Sequence, residues 1–389
     1  MNAWILPLLR PGPAAFLALF FLEAVARTLL IAVVPLQALG SLGDAQRVSV
    51  LYFGASIAGL LFSFAIPWLI RRWLRRGVVA LGAGAYLAAA VLLATGTTAG
   101  LAAGLWLLIV GTACIEVPLN LYVLDYVRRK ELGRFEPKRL GVVAGAWAIC
   151  PSLGIALRAQ LAPWAPFAAT AAVALILFFY FRRVRGGQEP PRPRIIPANP
   201  LRYLPRFFAQ PRLRLAWTLA VGRSAWWMIF FVYAPIYAVT AGLGEAVGGA
   251  IVSAGGAALF LTPLWGWMAR RYGMRAILVV GYGATAALTA GVAAMAGDPW
   301  IGAGLLVGAV LAAGVIDGVG NAPFLRAVRP LERAEMTAVF STFRHVAQIA
   351  TPGLCVLLLE KFDLAQVFLA GGLGMAALTA LSFYIPRKM

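Results

Sequence analysis

Residues 66–84 read IPWLIRRWLRRGVVALGAG, and residues 265–283 read WGWMARRYGMRAILVVGYG. At an offset of 199, Arg71, Arg72 and Arg76 fall on Arg270, Arg271 and Arg275, and Gly82 and Gly84 fall on Gly281 and Gly283. Apolar runs of about twenty residues or more flank each stretch, long enough to cross a hydrocarbon core of about 30 Å. Each stretch therefore reads as a basic turn joining two membrane-spanning helices.

The rest of the chain extends the pattern. Of 389 residues, 62% are hydrophobic and 12% charged, whereas a soluble protein keeps about a quarter charged. Lipid must be the solvent, and only helices or closed barrels satisfy a backbone in lipid. Barrel strands would alternate over about ten residues. These runs are longer and mostly continuous, so they predict helices, at roughly 14–38, 47–70, 77–95, 101–126, 140–160, 163–181, 212–240, 245–268, 276–296, 300–325, 333–359 and 364–385. No cleavable leader is expected, because the first apolar run is too long and contains Glu23 and Arg27.

Charge orients the helices. Of 34 lysines and arginines, 28 lie in alternate loops or at the two ends of the chain. This positive-inside pattern places both termini in the cytoplasm of a bacterial inner membrane. It also accounts for the net charge of +20 without a nucleic-acid partner. Residues 182–211 are rich in Pro and Arg and hold no spanning run. The expected organisation is an N-terminal six-helix bundle over 1–181, a cytoplasmic linker over 182–211 and a C-terminal six-helix bundle over 212–389. The repeat supports it: Pro35 matches Pro235 at 200, Glu116 with Asn120 matches Asp317 with Asn321 at 201, and Pro151 matches Pro352 at 201. Parallel six-helix repeats place a substrate site near the midplane.

Gly266, Arg270, Gly273 and Arg275 resemble the loop signature of the major facilitator superfamily. With Arg71, Arg72, Arg76 and Arg271, the resemblance makes them gating-loop residues. The signature's acidic position is held by Ala269. The resemblance implies an all-α membrane protein of twelve transmembrane helices in two pseudo-symmetric six-helix bundles. It further implies a monomer that moves a small-molecule substrate by alternating access. An acid followed by Val34-Pro35-Leu36 in the first span, and Gly141, Gly145, Pro151 and Gly154 in the fifth, resemble the drug–proton antiporter branch. That implies proton-coupled efflux.

Charges kept inside spans are costly and mark functional candidates. Glu23 and Arg27 lie four residues apart, on one helix face, in the favourable order for a pair. They read as a proton site tuned by an arginine, or as a static pair that fixes packing. Glu116 and Asp317 occupy equivalent positions in the two halves, and could carry protons or accept helix–helix hydrogen bonds. His345 is a further proton candidate, or a neutral hydrogen-bonding group. Arg27, Arg223 and Arg344, with Asn120, Asn321 and Trp227, are the substrate-binding candidates. Any arginine left without an acid would suit an anionic group. The aromatics after Arg223 could line a pocket or pack among helices.

Other classes fit poorly. Cys114, Cys150 and Cys355 are isolated, and the eight methionines are scattered. No metal site is expected. No nucleophile elbow or phosphate loop appears, so neither an enzyme nor a cofactor is expected. The alternatives kept open are uptake of an organic anion and a non-transporting assembly or regulatory protein.

Overall fold

A computed structural model of the chain describes residues 12–127, 129–184, 203–295, 297–329 and 332–386. Arg10, Arg128, residues 185–202, Arg387 and Lys388 lie outside it, as do the side chains of Arg129, Lys130 and Arg134. Among the described residues there are no strands, and twelve helical segments are long and apolar enough to cross a membrane. In order, spans 1–6 are Pro13–Leu42, Ala45–Ser63, Ile66–Ala94, Thr98–Val123, Phe135–Gln160 and Ala165–Val184. Spans 7–12 are Pro211–Thr240, Glu245–Tyr272, Met274–Ala294, Pro299–Ala327, Glu335–Leu359 and Leu364–Ser382. The twelve-helix, all-α architecture expected from the sequence is the one found.

Two compact units emerge. One comprises Met1–Ser41 with Ile57–Arg194, and the other Leu42–Ser56 with Ile195–Met389. The first residues of span 2 thus pack with the second unit. There Ser49 Oγ lies 2.7 Å from the Tyr233 hydroxyl, and Gln46 donates to the Val356 carbonyl at 3.4 Å.

Several helices break where the sequence allows it. The basic stretch 71–76, expected as a loop, is helical on both sides of Leu74. Leu74 alone leaves the helical region, at φ 62° and ψ 165°. Its repeat counterpart is Gly273, at φ 89° and ψ 143°. The same sharp turn occurs in both halves, with glycine supplying the left-handed backbone in only one. Span 10 is helical over Pro299–Val319, breaks at Gly320 (φ 56°) and resumes over Ala322–Ala327. Span 11 breaks at residues 341 and 342, between Arg333–Phe340 and Phe343–Leu359.

The linker is partly structured. Leu204–Phe208 is a short helix that buries Phe207 completely against Phe324, Met336 and Phe340. Arg206 on this helix pairs with Glu332. Full burial of a Phe side chain contributes about 1.5–3 kcal/mol, enough to hold this end of the linker down. The three cysteines are free and buried.

Glycines set the spacing of the helices that carry the in-span acids. A Cβ on Gly82 of span 3 would come within 2.7 Å of Ile115 Cγ1 and 3.0 Å of the Gly111 carbonyl oxygen. A Cβ on Gly281 of span 9 would come within 2.9 Å of Ile316 Cγ1. These are repeat-equivalent crossings. In each, the residue packed on the glycine directly precedes an acid, Glu116 or Asp317.

Candidate functional site

Among the described residues, each unit carries a charged cluster that joins its first and fourth spans, besides other ion pairs. In the first unit the cluster hangs on Glu23, whose side chain is almost sealed, at 3% exposure, beneath a half-exposed Arg27. One helical turn brings Arg27 Nε to 3.3 Å from Glu23 Oε1. The Tyr86 hydroxyl donates to Glu23 Oε1 at 3.4 Å and shares a 2.8 Å hydrogen bond with Thr112 Oγ1. The guanidinium of Arg27 lies over the Trp147 ring, 5.5 Å from its centroid, a cation–π contact from span 5. Glu116 is half-buried and close enough to interact electrostatically with both Glu23 and Arg27. Among the described residues it makes no ion pair of its own. Two carboxylates therefore lie near one guanidinium, and only Glu23 is ion-paired with it.

Thr28 completes the local structure of span 1. Its hydroxyl returns to the Ala24 carbonyl at 2.6 Å, just before the helix loosens over residues 29–32. Such back-bonding tends to bend helices.

In the second unit the cluster is balanced. Arg223 Nε lies 3.5 Å from Asp317 Oδ1, and Arg223 Nη2 donates to Asn321 Oδ1 at 3.1 Å. The indole N–H of Trp227 donates to Asp317 Oδ2 at 2.8 Å. Both carboxylate oxygens are thus engaged. The break at Gly320 places Arg223 and Asn321 at the C-terminal end of the Pro299–Val319 helix. There the helix dipole and free carbonyls favour a cation. Trp227 stacks on Phe231 at 5.1 Å and 19°, and Trp226 stacks on Phe230 at 5.5 Å and 15°. The Trp226 indole N–H donates to Thr289 Oγ1 at 2.9 Å, which anchors it in the core.

The repeat therefore places unlike side chains at like positions. Glu23 corresponds to Arg223, and Arg27 to Trp227. Glu116 and Asp317 keep their acid, and Asn120 and Asn321 keep their amide.

The other candidates scatter. Asn120 accepts from Arg139 Nη1 at 2.8 Å, while Arg139 Nη2 pairs with Glu136 at 2.7 Å. Asn120 thus belongs to a polar knot toward the basic end of the first unit. Arg344 is exposed and lies over the Phe343 ring; no acid pairs with it among the described residues. His345 beside it is half-buried.

The gating-loop arginines Arg71, Arg72, Arg76, Arg270 and Arg271 are exposed. Arg271 covers Trp267 and Tyr272, and Arg275 covers Phe383. Gly266 sits near the Arg270 side chain, and Gly273 makes the turn.

Sequence reasoning missed Tyr86 and Trp147, because nothing in a lone aromatic tells which acid or cation it meets. It also missed the buried Arg75, which pairs with Asp125 and lies over Tyr122. The break at Gly320 did have a signal: Gly318, Gly320 and Asn321 form a run of residues suited to a helix end.

The profile of the Major Facilitator Superfamily matches residues 16–352. A search of curated proteins finds no match. Among solved structures, a POT family transporter in complex with 5-aminolevulinic acid superimposes with a TM-score of 0.76 at 14% identity, covering 97% of this chain and 98% of that one. The nucleoside transporter NupG gives 0.75 at 13%, covering 96% and 98%. A D-xylose-proton symporter gives 0.74 at 11%, covering 96% and 97%. At such identities the likeness is one of fold. The profile match spans most of the sequence and agrees with the twelve helices and the repeated basic turn, and the chain belongs to the Major Facilitator Superfamily.

Proposed function

We propose that this protein is a proton-coupled secondary transporter that exports a small organic solute by alternating access, as drug–proton antiporters do. The observation that carries this reading is the first unit's pair of carboxylates near a single guanidinium, of which only Glu23 is ion-paired. An unpaired carboxylate in a membrane span is strongly disfavoured unless it takes up a proton or meets a cation. Glu23, sealed beneath Arg27, is the residue assigned to the proton, with Glu116 as its partner acid. A solute that draws Arg27 away would leave Glu23 with less reason to stay charged, which ties proton uptake to solute binding. The second unit's balanced cluster of Arg223, Asp317, Trp227 and Asn321 is assigned to the solute. The protein is placed in a bacterial inner membrane as a monomer, with both termini in the cytoplasm.

Liposomes carrying a pH-sensitive dye test the reading. Some solute should drive proton movement in the wild type, and the Glu23→Gln variant should lose that proton movement. Solute flux that is unchanged by Glu23→Gln would overturn the role given to Glu23. A purified protein that transports nothing while retaining a protein partner would favour the non-transporting alternative.

One observation favours a second reading, uptake of an organic anion. Arg344 is the third arginine among the substrate-binding candidates, and no acid pairs with it among the described residues. Saturable uptake of a carboxylated solute that is lost in Arg344→Gln would support it.

A further inference from the structure

Asp317 of the second unit is saturated. One oxygen faces Arg223 and the other accepts the Trp227 indole N–H. It therefore has little left to offer a solute, and its evident work is to hold its two neighbours. Arg223 is held through Nε and Nη2, by Asp317 and Asn321. Among the described residues its Nη1 has no partner. The side chain is 12% exposed, and Nη1 is not sealed from its surroundings. A guanidinium edge in a membrane span without an acceptor is expensive and faces either water or a ligand.

Trp227 is held at both ends as well. Its N–H is fixed by Asp317, Phe231 stacks on it, and Trp226 and Phe230 pack against it at 74° and 89°, yet the residue stays half-buried rather than sealed. The part of the indole that remains accessible, fixed in orientation, offers a flat surface at little cost in side-chain entropy.

The enclosed space nearby is no substitute. A cavity bordered by Leu219, Arg223, Tyr282, Ile316, Asn321 and Phe340 measures about 10 Å³, room for a single water. A solute must therefore meet Arg223 outside this cavity, and the aromatic surface tied to Arg223 through Asp317 is that of Trp227.

We infer that this cluster selects a planar aromatic or heteroaromatic solute carrying a hydrogen-bond acceptor. The ring lies against Trp227, and a carbonyl or carboxylate accepts from Arg223 Nη1. Asp317 is then a positioning residue that never touches the solute. The inference rests on the assignment of the second-unit cluster to the solute.

Binding to the purified, detergent-solubilised protein tests this without any need for transport. Two matched pairs of probes are used, benzamide with cyclohexanecarboxamide and benzoate with cyclohexanecarboxylate. Within each pair the acceptor is the same and only the flatness differs. In at least one pair the aromatic member should bind about three- to tenfold more tightly, the worth of one aromatic contact. The pair that responds tells whether the acceptor is neutral or charged. Trp227→Ala should abolish the preference for the flat member, and Trp227→Phe should keep part of it. Arg223→Gln should weaken both members of the responding pair. Asp317→Ala, which removes the acceptor of the Trp227 N–H, should reduce the aromatic preference while circular dichroism shows the fold intact.

Equal binding of flat and puckered probes, no binding of either, or a preference untouched in Trp227→Ala would overturn the proposal. Proton flux in the Glu23→Gln variant is a separate measurement, so failure of the coupling reading is told apart from failure of this one.

Discussion

At the scale of single residues, the decisive feature is how acids are shared out. Asp317 meets one cation and one indole, so it is satisfied. Glu23 holds the one nearby cation, and Glu116 has no ion pair among the described residues. The equivalent acids Glu116 and Asp317 therefore have different partners, and the roles proposed for them follow from those neighbours. A substitution at each should reveal the difference. Asp317→Ala leaves Arg223 without its acid and should lower the melting temperature of the purified protein. The loss should be smaller than the ~3–5 kcal/mol seen when a fully buried pair is broken, because both side chains retain some exposure. Asp317→Asn, which can still accept from Trp227, should melt closer to the wild type. Glu116→Gln removes the surplus acid. It should leave the melting temperature near the wild type or raise it, while proton movement with a transported solute falls. Unchanged proton movement would assign the coupling to Glu23 alone.

At the scale of helices, two repeated devices hold the clusters in place, and each can be tested by exchanging residues between the halves. The first is the sharp turn at Leu74 and Gly273. A leucine at φ 62° with an extended ψ sits where essentially only glycine is at ease, at a cost of about 1–3 kcal/mol. Leu74→Gly should raise thermal stability, by less than that cost because glycine also loses more freedom on folding. Gly273→Leu should lower it. Opposite shifts at two equivalent positions would be hard to produce by any general effect on the membrane or the detergent. The second device is the crossing of Gly82 on Ile115 and of Gly281 on Ile316. Gly281→Val should cost about 1–3 kcal/mol, the usual penalty of forcing bulk into a packed contact. It should also displace Asp317, one residue on, so binding of the solute should suffer even in the fraction of protein that folds. A melting curve and a binding curve on the same sample separate the two effects.

At the scale of the whole molecule, the distribution of charge sets the topology. Most lysines and arginines fall in alternate loops or at the chain ends, and the topology proposed from the positive-inside rule has both termini in the cytoplasm. A fluorescent protein fused after Met389 should be bright, and alkaline phosphatase at the same point should be inactive. The reverse result would invert the topology and with it the direction of every gate. The twelve spans and their basic turns were legible from the chain alone because the bilayer imposes a coarse rule. About twenty apolar residues cross it, and cations stay behind. That rule is one-dimensional, so a linear reading suffices. The pairing of Glu23 with Arg27 was legible for a related reason: both lie on one helix, four residues apart.

The remaining details depended on contacts between distant segments. Tyr86 reaches Glu23 across 63 residues, Trp227 reaches Asp317 across 90, and Arg75 reaches Asp125 across 50. Asn120 was expected at the substrate, but its partner is Arg139. Nothing in composition or period could rank these choices, because each depends on the rotation of one packed helix against another. Helix faces are set by which small residues permit a close approach, here Gly82 and Gly281. The sequence alone thus determined that this is a twelve-span membrane protein of two repeated halves with acids and arginines inside the bilayer. Only the tertiary structure decided which acid is paired and which is left without an ion pair. In a medium without water, a charge is defined by the partner that packing brings to it.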